Sequence, residues 1–173
     1  MILFITSEMI FFVSFFWSFI HSRLSPNEFW LPVFIDSFNP FQIPLLNTLL
    51  LLSSGITVTV AHHSLIINNL ILSWKYTLKT IILGGLFSLC QGFEYFNSSI
   101  IISEGVYTRI FYIATGFHGL HVLVGSTFLG VCLIIYFIYS SMNHTRFEFR
   151  IWYWHFVDLI WIFLYSLIYW WGV

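Results

Sequence analysis

Charge is scarce in this chain. Lys, Arg, Asp and Glu make up 8% of its 173 residues, against about 25% in a typical soluble domain. Such a deficit excludes a water-soluble fold, because too little charge is present to cover its surface. The net charge of −1 also argues against nucleic acid as a partner, since phosphate binding needs clustered Lys and Arg. Cysteine is rarer still. Cys90 and Cys132 both lie in apolar runs, where a free thiol behaves as a small hydrophobe, so no disulfide and no cysteine-based metal site is expected. Alanine occurs only at Ala61 and Ala114 while Phe numbers 21, a bias that points to AT-rich codons, as in many organelle genomes. The opening MILFITSEMIFFVSFFWSFIHS has neither a basic n-region nor an A-x-A site, and no cleavable signal peptide is expected.

What fills the chain is hydrocarbon: 59% of it is hydrophobic and its mean hydropathy is +0.90. A helix crossing a bilayer needs roughly 20 apolar residues, and five stretches qualify, at about 2–20, 45–67, 76–96, 110–139 and 147–171. Backbone polar groups must be satisfied internally in lipid, so these are helices rather than strands. The expected fold is an all-α integral membrane protein, a single domain of five transmembrane helices. Pro26, Pro32, Pro40 and Pro44 mark the first loop and the start of the second helix, and Asn68 and Asn69 close that helix. Lys75, Lys79, Arg146 and Arg150 fall on one side, Arg23 and Arg109 on the other. By the positive-inside rule the N-terminus is expected on the more basic side.

Polar side chains inside the spans are the candidate functional residues. Glu8 sits mid-span among Phe4, Phe11 and Phe15. It reads either as a proton-accepting or lipid-contacting acid, or as a carboxyl hydrogen-bonded to a neighbouring helix. In GFHGLHVLVGS, residues 116–126, His118 and His121 share a helical face with Gly125 and Cys132, which offers two imidazoles and a gap for a neighbour's backbone. Two ligands are too few for a metal, and no E-x-x-H or C-x-x-C-H accompanies them, so hydrogen bonding between helices is favoured. His62 and His63 are adjacent and point about 100° apart, one expected inward and one at the headgroups. His155 and Asp158, at i and i+3, are expected to form a structural polar pair rather than a proton relay. Asp158 lies on one stripe with Trp154, Trp161 and Tyr165. On the third helix Gly84, Ser88, Gln91 and Tyr95 share a face, a small-residue contact with a hydrogen-bonding extension. Glu94 is expected at the interface, solvated and without special role. Catalytic residues are not expected: nucleophile–base pairs, phosphate-binding loops and redox motifs are all missing.

The blocks ILFITSEMIFF, PLLNTLLLLSSGITVTVAHHSL, QGFEYF, ISEGVY, ATGFHGLHVLVGSTFL and WYWHFVDLIWIFLYSLIYWWG, in this order, resemble those of cytochrome c oxidase subunit III. The resemblance implies a respiratory terminal oxidase (complex IV) that oxidises cytochrome c, reduces oxygen to water and pumps protons, with haem and copper held in subunits I and II. It implies a non-redox subunit in the mitochondrial inner membrane that packs on subunit I, binds phospholipid and supports proton uptake and sustained turnover, with accessory subunits around it. That family normally has seven helices, and the five spans here resemble the third to the seventh. A separate chain or another subunit is expected to stand in place of the first two. Glu8 matches the family's buried acid, and His62, His63, His118, His121, His155 and Asp158 its other intramembrane polar positions. A proton or small-solute transporter is the alternative, and the internal repeats and broken helices common in transporters are not apparent.

Overall fold

A computed structural model describes residues 1–24, 39–98, 105–139 and 144–172. Pro26 and Pro32 and most of the connection before the fourth helix lie outside these residues. The described chain forms α1 (Ile2–Leu24), α2 (Ile43–Ile66), α3 (Leu70–Asn97), α4 (Val106–Tyr139) and α5 (His144–Leu164), the last continuing as a π-helical turn, Tyr165–Trp170. All five helices are long and apolar enough to cross a membrane.

All five helices start earlier than the apolar runs suggested or run past them, and at α2 and α3 the difference has a local cause. Pro44 stands in the first turn of α2, where its missing N–H costs nothing. Asn68 takes a left-handed φ of 60°, a conformation Asn tolerates better than most residues. Asn69 then caps α3, its side chain accepting from the Leu72 backbone N–H at 3.2 Å. The third helix therefore begins six residues before Tyr76, with exposed Lys75 carried on its first turns. At the other chain end α5 begins at His144 and its last turn widens to π geometry.

Helices α2 and α3 form the most extensive pair, while α1 packs on α4 and α5 and is the most peripheral helix. Its inward face is a ladder of rings spaced at helical period: Phe4 meets Tyr153, Phe12 meets Phe156, Phe16 meets Phe163 and Phe19 meets Tyr107 and Trp171, with centroids 6.0–6.4 Å apart. Helix α5 has the largest buried share. From it the fully buried Trp154 touches three neighbours at once. Its Nε1–H donates to Ser54 Oγ on α2 at 2.9 Å, and its ring lies against Gly84 of α3 and Gly125 of α4. A Cβ on Gly84 would sit 2.6 Å from the ring, and one on Gly125 3.0 Å from it. Both glycines exist for an indole, so the gap at Gly125 receives a ring rather than a neighbour's backbone.

Hydroxyls on outward faces are spent locally. Ser7, Ser14 and Thr59 donate to the carbonyls of Phe4, Phe11 and Ile56 at 2.6–2.7 Å, which removes the cost of presenting a bare O–H to lipid.

Candidate functional site

Helix α1 carries Glu8 on the same side as Phe4 and Phe12, and that places it opposite His121 of α4. Glu8 Oε2 and His121 Nε2 are 2.9 Å apart, and His121 Nδ1 is 2.7 Å from the Phe117 carbonyl oxygen. A carbonyl can only accept, so Nδ1 carries a proton. Nε2 then either accepts from a protonated Glu8 or donates to an ionised one. In both cases the pair is neutral as a unit and holds one proton between its two members. Half of its surroundings are protein, since Phe12, Tyr153 and Phe156 pack on the imidazole. The other half is a cleft of about 420 Å³ between α1 and α4, walled by Phe4, Phe11, Phe117, Leu120 and Val124. Glu8, His121, Ser7 and Tyr153 of α5 supply its polar groups, and the rest of the wall is apolar.

One turn earlier on α4, His118 is wholly buried and bonds through Nε2 to the Val157 carbonyl of α5 at 3.2 Å. Phe87 and Trp161 enclose its ring, and Trp161 reaches on to Thr48 of α2 at 3.1 Å. The two histidines of the GFHGLH block thus go to different helices, one to α1 and one to α5. Among the described residues no group of three or more His, Cys, Asp and Glu side chains is arranged to hold a metal.

The face of α3 predicted to hydrogen-bond meets α4. Gln91 Nε2 donates to the Thr115 carbonyl at 2.9 Å and to Tyr95 OH at 3.2 Å. Tyr95 OH donates to Thr115 Oγ1 at 2.5 Å, which donates to the Phe111 carbonyl at 2.6 Å. Each hydroxyl in this relay accepts once and donates once. Gly119 leaves the space Gln91 needs, since a Cβ there would lie 2.8 Å from Gln91 Oε1. Ser88 differs: its hydroxyl returns to the Gly84 carbonyl of its own helix at 3.0 Å. Replacing Tyr95 by Phe is expected to lose about 1 kcal/mol, typical of one interhelical bond in a membrane. Detergent-induced loss of helical circular dichroism measures it.

His155 and Asp158 come no closer than 4.0 Å, Nδ1 to Oδ2, too far for a hydrogen bond. The tight contact is elsewhere: a Cβ on Gly55 of α2 would lie 2.6 Å from Asp158 Oδ2 and 3.9 Å from His155 Nδ1. Gly55 is a site residue that sequence reasoning missed, although its place among Ser53, Ser54 and Thr57 gave the usual small-residue signal. His62 is half-buried and His63 exposed on α2.

Glu94 is the largest departure from expectation. It is only 4% exposed, not solvated, and accepts from Tyr169 OH of the π-helical turn at 3.4 Å. Its other oxygen has no hydrogen-bond partner among the described residues. Position near the end of α3 suggested an interface, whereas the π turn folds Tyr169 over the carboxyl and closes it off.

A family model described as cytochrome c oxidase subunit III matches residues 1–173. Relatives named cytochrome c oxidase subunit 3 are similar along nearly the whole chain. Those from Aedes aegypti, Drosophila melanogaster and Homo sapiens are each 53% identical over 178 aligned positions, covering 99% of this chain and 68% of the relative.

Proposed function

The chain belongs to the cytochrome c oxidase subunit III family, and from that premise we propose how it serves the oxidase. It is a subunit of an oxidoreductase complex and associates with other oxidase subunits. Its part is mechanical and protonic rather than electronic: it packs on subunit I, binds phospholipid, and supports proton uptake and sustained turnover. Haem and copper stay in partner subunits. The membrane is the mitochondrial inner membrane, with the N-terminus on the matrix side.

The observation that carries this reading is the Glu8–His121 pair in the wall of a mostly apolar cleft. Five phenylalanine, leucine and valine side chains suit an acyl chain, which needs dispersion contact and no hydrogen bonds. A one-proton pair beside it suits a group that accepts and returns a proton without leaving a net charge in hydrocarbon. His118, Gln91 and Tyr95 are used in binding helix to helix. His62, His63, His155 and Asp158 line α2 and α5, and Gly84 and Gly125 admit Trp154.

The chain purified from its native membrane in mild detergent is expected to carry haem and copper absorbance in fixed proportion, with phospholipid that resists washing. Recovery as a haem-free assembly overturns the oxidase reading. Haem retained with no tightly held phospholipid overturns the lipid role alone.

A further inference from the structure

We propose that α2, α3 and the π-helical turn enclose an internal water site, in which Asn47 and the Oε1 oxygen of Glu94 hold one or two water molecules between them. The site uses none of the residues that line the Glu8–His121 cleft, and it does not depend on that cleft's role.

Asn47 is wholly buried. Neither its Nδ2 nor its Oδ1 has a hydrogen-bond partner among the described residues. A side-chain amide brings two donors and an oxygen with two lone pairs, and leaving them unmet in a bundle interior is costly. Glu94 is also buried. Its Oε2 accepts from Tyr169 OH, while its Oε1 has no partner among the described residues.

The two residues belong to one layer of the bundle. Asn47 continues the buried stripe of Leu51, Ser54 and Val58 on α2, and Glu94 that of Phe87 and Gln91 on α3. These helices run antiparallel, and the Thr57–Thr80 contact at 2.8 Å sets their register. Asn47 therefore stands across from Cys90 and Gln91, about one turn short of Glu94, an offset of about 6 Å along the axis. One or two waters cover such a gap at about 2.8 Å per hydrogen bond.

The polar groups around the pair are already committed. Thr48 Oγ1 accepts from Trp161 and donates to the Pro44 carbonyl. The Gln91 amide nitrogen donates to Tyr95 and to Thr115, and helical backbone pairs with itself. Water meets the remaining demand, because a buried water typically makes about three hydrogen bonds to polar groups that lack other partners. It accepts from Asn47 Nδ2 and donates to Oδ1 and to Glu94 Oε1. A supply is near, since both residues lie within about 6 Å of the start of α2 or the end of α3, where these two helices reach the same membrane surface. Tyr169, itself wholly buried, lies over the carboxyl and closes the site.

A map of the assembled oxidase at a resolution that shows ordered water tests this. Water is expected within hydrogen-bond distance of the Asn47 amide and, directly or through one further water, of Glu94 Oε1. A dry contact in which Asn47 bonds another protein group, or water touching only one of the two residues, overturns the proposal. Hydroxyl-radical labelling by X-ray irradiation is a second readout, because bound water yields radicals that mark the side chains beside it. The parent is expected to be labelled at Tyr169 despite its burial, and Asn47→Leu to be labelled there at least threefold less. No label at Tyr169 in the parent, or equal labelling of the two, overturns the proposal. Where Asn47→Leu fails to assemble, the map and the labelling of the parent decide.

Discussion

Trp154→Ala is expected to cost the bundle about 3 kcal/mol, the low end of the range for removing a buried tryptophan. The low end applies because lipid, unlike water, gives little penalty for exposing apolar surface. What is lost is dispersion contact on three sides and the hydrogen bond to Ser54 Oγ. Neither Gly84 nor Gly125 has a Cβ to fill the space, so the cavity opens on backbone. The complementary change, Gly84→Ala, pushes a methyl to 2.6 Å from the same ring and is expected to cost about 1–3 kcal/mol by overpacking. In the double variant the methyl enters the space the indole left, and most of the cost of Gly84→Ala should go, leaving only the contact with Ser126 Oγ at 3.0 Å. Detergent-induced loss of helical circular dichroism gives all three numbers. Additive costs, or less than 1 kcal/mol for Trp154→Ala, would show that the ring does not join α2, α3 and α4.

The second large effect concerns Glu8. Glu8→Leu leaves His121 Nε2 facing a mostly apolar cleft, and is expected to cost about 1–3 kcal/mol, the penalty for an orphaned buried polar atom. Glu8→Gln is expected to assemble nearly as the parent does. With Nδ1–H committed to the Phe117 carbonyl, the neutral ring offers a lone pair at Nε2, and a glutamine amide donates to it where the acid did. Glu8→Leu combined with His121→Leu removes both partners and should recover much of the stability lost by Glu8→Leu alone. The fraction of each variant incorporated into the complex, with turnover recorded over time, separates two roles. If Glu8→Gln assembles yet its turnover decays, the proton matters to function and the hydrogen bond to structure. If Glu8→Gln fails to assemble, the proton itself is structural.

The five spans were legible because bilayer depth imposes a minimum apolar length that sequence displays directly. Their ends were less so, since an apolar run stops at Lys75 or Arg109 whereas a helix stops at a cap. The doublet Asn68–Asn69 marked the boundary, but only the φ of Asn68 and the Asn69 cap fix α3 at Leu70. Polar residues were legible as individuals and not as pairs. Glu8 and His121 are 113 positions apart, and nothing in either local pattern says that α1 lies on α4. Distance in sequence also hid Glu94: its closure depends on Tyr169, 75 positions on, presented by a π-helical turn that has no compositional signature. The Gln91–Tyr95 face was readable because both residues sit on one helix, one turn apart. Gly55 went unread because a glycine's role is set by what approaches it, here Asp158 from a helix a hundred positions downstream.

Only residues 67–69 join α2 to α3. A connection that short leaves no slack for the two helices to be placed separately. When α2 reaches full depth, the start of α3 is already held at the same surface, turned back by Asn68. Thr57 and Thr80 then come within 2.8 Å across the pair, and Ser73 reaches the Ala61 carbonyl at 3.0 Å, contacts close along the chain that form without waiting for any other helix. During synthesis this stretch is expected to insert as one hairpin-shaped unit, offering α4 and α5 a finished surface on which to arrive.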